Sequence, residues 1–126
     1  LRFQGRVPNE GSPSNLGIFQ LAFDLRDRVD TPDYAYQVLQ FHLNWLKVHL
    51  TSPAILDERE NIRAICWFKP EARKPLLHIW PIKAMLEEFG YPIDVLKTRH
   101  PGWILYEDGW QVVARPDRRS QKIRRC

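Results

Sequence analysis

Residues 103–114 constrain the fold more than any other stretch. Two apolar runs, 103–106 and 110–114, are separated by Glu107-Asp108-Gly109. Asp-Gly between apolar runs is a hairpin signal, because glycine enters positive φ without a Cβ clash. Pro101-Gly102 marks a turn before the pair and Pro116 ends it. A chain with such a hairpin contains a sheet, so an all-helical bundle is excluded.

Helical periodicity appears twice. Thr31-Pro32-Asp33 has the chemistry of a helix start: a hydroxyl able to cap, a proline suited to the first turn and a carboxylate for the dipole. Tyr34, Val38, Phe41, Trp45 and Val48 follow at helical spacing, Leu39, Leu43, Leu46 and Leu50 widen the apolar side, and Pro53 stops the run. A second helix is predicted over 71–89 from Leu76, Ile79, Ile82, Leu86 and Phe89, with Gly90 and Pro92 beyond it. Pro75 is expected to open its regular part and Pro81 to kink or break it.

The remaining apolar segments read as strands. In 16–25, Ile18, Gln20, Ala22 and Asp24 alternate with Phe19, Leu21, Phe23 and Leu25, a period of two with one fully apolar face. Residues 63–69 and 93–99 are further strands, with a solvated turn at 57–61. The order is β-α-β-α-β-β-β. The fold class expected is α+β: a two-layer sandwich with a mixed sheet of about five strands and two helices on one face. The first two units are expected as βα crossovers and the last strands as an antiparallel meander; the strand order is left open.

Residues 16–116 are expected to form a single domain. Residues 1–5 partly match the remnant of a cleavage tag, and 5–15 are rich in Gly, Pro, Ser and Asn, so 1–15 reads as a flexible arm. The net charge is +4, from 19 Lys and Arg against 15 Asp and Glu. Residues 115–126 alone carry +5, leaving −1 for the other 114. The basic excess therefore sits in the tail, and 117–126 is expected to be flexible. A hydrophobic share of 44% excludes a wholly disordered chain. No apolar run approaches the roughly 20 residues of a membrane span. No signal segment is seen either, so a cytoplasmic location is expected.

Few residues carry recognisable chemistry. Lys69 lies between a strand and a helix, where α/β proteins often bind ligands, and is a candidate anion contact, although a solvated strand-end lysine is the plainer reading. Arg99 and His100 precede the hairpin, and Glu107 follows its first strand. If the strands at 93–99 and 103–106 pair, a strand length separates His100 from the carboxylates, which disfavours an acid–base pair. Trp103 and Trp110 flank the hairpin; core packing is the default, and an exposed ring would anchor a protein or stack on bases. Arg118, Arg119, Lys122, Arg124 and Arg125 are tail candidates for nucleic acid. Cys66 reads as a small core hydrophobe. His42 and His49 lie about 10 Å apart along one helix, too far to share an ion. No metal site is expected, and no phosphate loop, dinucleotide turn or nucleophile elbow is present, so no cofactor is expected either.

The blocks Ile65-Cys66-Trp67-Phe68-Lys69 and 101–116, with Pro101-Gly102, Tyr106-Glu107-Asp108 and Gln111-Val112-Val113-Ala114, resemble an uncharacterised group of small bacterial proteins. The resemblance spans roughly 16–116 and implies a bacterial cytoplasmic protein. The group has no assigned activity, so no chemistry follows. The leading expectation is a non-catalytic binding or regulatory module that works by protein association, including self-association. Nucleic-acid binding through the tail and an aromatic sheet face is the alternative, and a small enzyme using Lys69, Arg99, His100 or Glu107 is a third.

Overall fold

The computed structural model describes residues 1–8, 15–51, 64–117 and 124–125. Its elements run β1 (Arg2–Pro8), β2 (Asn15–Gly17), α1 (Ile18–Asp27), α2 (Asp33–His49), β3 (Ile65–Phe68), α3 (Arg73–Glu88), β4 (Ile93–Lys97), β5 (Trp103–Glu107), β6 (Gln111–Arg115) and β7 (Arg124–Arg125). The class is α+β. Among the described residues the strands fall into two sheets, not one mixed sheet, and there are three helices where two were expected.

The chain divides into two units. One holds Phe3–Leu50 and Lys74–Asp94, the other Leu1–Arg2, Thr51–Arg73 and Val95–Cys126. Leu1 and Arg2 fall in the second of these units and the rest of β1 in the first. In the helical unit, β1 pairs antiparallel with β2, Phe3 is buried, and the Arg6 N–H donates to the Pro92 carbonyl at 3.0 Å. Residues 2–8 are therefore a strand, not a free arm; 9–14 lie outside the described residues.

The segment expected as the first strand is helix α1. Its buried residues are Ile18, Ala22 and Leu25, a spacing of four and three that belongs to a helix face. Phe23, on the face a strand would have buried, is 39% exposed. A dense apolar segment satisfies both periods, and here the helical one won. Thr31 does not cap α2; its hydroxyl donates to the Leu25 carbonyl at 2.5 Å and ties the α1–α2 turn instead. Helix α3 runs through Pro81 without ending there. It closes as expected: Gly90, at φ +88°, donates to Glu87 at 3.1 Å, and Tyr91 donates to Leu86 at 2.9 Å, the paired bonds of a glycine C-cap.

In the other unit, the three-stranded sheet has the order β3-β6-β5, all antiparallel. The expected hairpin is β5–β6. Gly109 is not in positive φ; Asp108 makes the turn by accepting the Trp110 and Gln111 N–H groups at 2.8 and 2.9 Å. Strand β4 does not join β5: its last residues pair with β7, Leu96 opposite Arg125 and Lys97 opposite Arg124. Part of the tail expected to be free is thus a strand. The turn at 57–61 and tail residues Arg118, Arg119 and Lys122 lie outside the described residues.

Candidate functional site: a basic hollow beside an exposed sheet edge

Strand β3 ends at Phe68, and the Lys69 N–H is held by the Trp110 carbonyl at 2.8 Å. Phe68 also exchanges two backbone hydrogen bonds with Leu1, at 2.5 and 2.6 Å. These bonds fix the floor of a hollow of about 920 Å³ whose lining includes Trp67, Lys69, Lys97, Arg99, His100 and Pro101. Lys97 ends β4, and the turn after it is pinned where the His100 N–H donates to the Thr98 hydroxyl at 3.0 Å. Three of the sequence candidates, Lys69, Arg99 and His100, therefore share one concavity.

Glu107 is not part of the lining, but it meets Lys69. The Nζ–Oε2 distance is 2.7 Å, and that hydrogen bond raises the lysine's pKa above its ordinary value. This partner comes from the residue after β3, a connection local spacing could not reveal, and the strand pairing from which a His100–carboxylate separation was argued is not made. Lys97 was missed for the same reason, as was Trp67. The Trp67 indole is buried, and its Nε1 has no partner among the described residues. An unpaired buried donor costs about 1–3 kcal/mol.

Two residues beyond Pro101, Trp103 and Ile104 are 66% and 55% exposed. The register shifts between Ile104 and Tyr106, a bulge that brings consecutive apolar residues to the surface. Among the described residues β5 pairs only with β6, so its other edge has no strand against it. Arg115, exposed, lies opposite Trp103. Trp110 is half-buried and serves through its backbone.

At the hairpin tip, burial pushes the Asp108 carboxyl upward. Hydrogen bonds from Trp110, Tyr106 and Gln111 outweigh that and hold it below its ordinary range. The tip is acidic, with Tyr106 donating to Asp108 at 2.8 Å. No protein-family model matches the chain, and no curated protein or solved structure matches it.

Cys66 is half-buried, with burial pushing its thiol pKa up, against the requirements of a nucleophile. Among the described residues, no three metal-ligating side chains cluster and no helix is long and apolar enough to cross a membrane.

Proposed function

We propose that the protein is a non-catalytic binding module that takes an extended acidic segment of a partner protein. The segment adds to the open edge of β5, sets apolar side chains against Trp103 and Ile104, and directs carboxylates to Arg99, His100 and Arg115 and into the hollow. The observation that carries this reading is the adjacency of a cationic concavity to an exposed apolar edge strand. Strand addition supplies backbone hydrogen bonds, and alternate side chains supply selectivity.

Glu107 and Asp108 at the hairpin tip would repel carboxylates and phosphates alike, so the acidic part of the guest lies at the Trp103–Arg115 end of β5. The convergence of Lys69, Arg99 and His100 favours a second reading, an enzyme acting on a small anion in the hollow.

A synthetic ten-residue peptide of alternating glutamate and valine tests the proposal by fluorescence titration. Trp103→Ala and Arg99→Glu should each weaken binding at least about tenfold, the scale of an interface anchor. Tighter binding of single-stranded oligonucleotide than of peptide would overturn it. Inorganic phosphate competing at micromolar concentration would favour the small-anion reading instead.

A further inference from the structure

In the helical unit, α2 and α3 bring two imidazoles together that the sequence keeps 36 positions apart. His42 Nδ1 and His78 Nδ1 are 2.9 Å from each other. Both rings are held. The His78 ring stacks on Trp45 at 4.1 Å with 13° between planes, and His49 stacks at 4.1 Å and 12°. His42 meets Phe41 edge-on at 5.0 Å. The argument against a shared ion for His42 and His49 stands, but His42 has its partner on the other helix.

We propose that His42 and His78 form a two-nitrogen site for a divalent transition metal, with Cu(II) the preferred ion. Metal–imidazole bonds are about 2.0–2.1 Å, so two nitrogens at a right angle about one ion lie about 2.9 Å apart, whereas a tetrahedral angle needs about 3.3 Å. The observed separation is that of an N–H···N hydrogen bond, which the ion replaces, and Cu(II) is preferred because it heads the affinity order of the divalent ions. Each ring swings away from the N–N axis so that the lone pairs of the two nitrogens, which now face one another, meet at the ion. The Nδ1 proton now between them passes through solvent to Nε2 of its own ring, both imidazoles bind neutral, and no net proton is released. Water fills the remaining positions.

The test is Cu(II) chloride added to the full chain in a non-coordinating buffer. Cys66→Ser and Cys126→Ser are present in every sample, because either free thiol would reduce the ion. Electron paramagnetic resonance should report one tetragonal Cu(II) per chain with two nitrogen ligands. His42→Ala and His42→Gln should each cost at least tenfold in affinity and leave one nitrogen, while His49→Ala and His100→Ala change nothing. Quenching of Trp45 fluorescence by Cu(II), read as the difference from Trp45→Phe, should vanish in His42→Ala. Circular dichroism confirms that each variant is folded. Cu(II) affinity in His42→Ala equal to that of the unsubstituted pair would overturn the site, as would loss in His49→Ala or His100→Ala instead.

Discussion

Gly102 packs its backbone directly against that of Arg115. Its φ is +111°, and a Cβ there would sit 2.1 Å from the Arg115 carbonyl oxygen, which belongs to rigid sheet backbone. Gly102→Ala should therefore destabilise by more than about 2 kcal/mol in urea denaturation. Gly109→Ala, with no positive φ and nothing within 4 Å of the added carbon, should cost far less. Asp108 gives the opposite kind of prediction. Its carboxylate holds the turn through three neighbours, so Asp108→Ala should cost about 1–3 kcal/mol. Its folded pKa lies below that of the unfolded chain, about 3.9. The stabilisation is thus present above that value and lost as pH falls through the folded pKa. Asp108→Asn should flatten this acid-side slope of the denaturation midpoint.

At the scale of elements, α2, α3 and the β5–β6 hairpin were legible because each carries one unambiguous period between clear stops. Helix α1 was not. Ile18, Phe19, Leu21, Ala22, Phe23 and Leu25 fit either period, and only packing decides between them. The decision is testable: Ala22 is fully buried while Phe23 is 39% exposed. Ala22→Asp should cost about 3 kcal/mol or more by placing a charge in the core, and Phe23→Asp should cost under about 1 kcal/mol. A strand would reverse that order. Pro81 was over-weighted as a breaker, since a helix can lose one donor where its neighbours pack. The site was half legible: the sequence offers Lys69, Arg99 and His100, but Lys97, the Trp67 donor and the His42–His78 pair depend on tertiary placement.

At the scale of the molecule, the charge divides unevenly. The sheet-bearing unit holds 13 Lys and Arg against 7 Asp and Glu, a net of +6, and the helical unit holds 6 against 8, a net of −2. The sequence count that assigned the excess to the tail understates this, because Arg2, Lys69, Lys97 and Arg99 belong to the same unit. A strongly cationic unit attracts acidic partners over distances set by the Debye length, about 10 Å at 0.1 M salt. Peptide association should therefore slow several-fold between 0.05 and about 0.5 M salt, read by stopped-flow fluorescence.

Backbone amide chemical-shift mapping during titration with the alternating Glu/Val peptide tests the binding edge most directly. Shifts concentrated at Lys97–Glu107 and Arg115, with new hydrogen-exchange protection along β5, are the predicted result. Shifts confined to α2 and α3, or no protection along β5, would contradict strand addition beside the hollow.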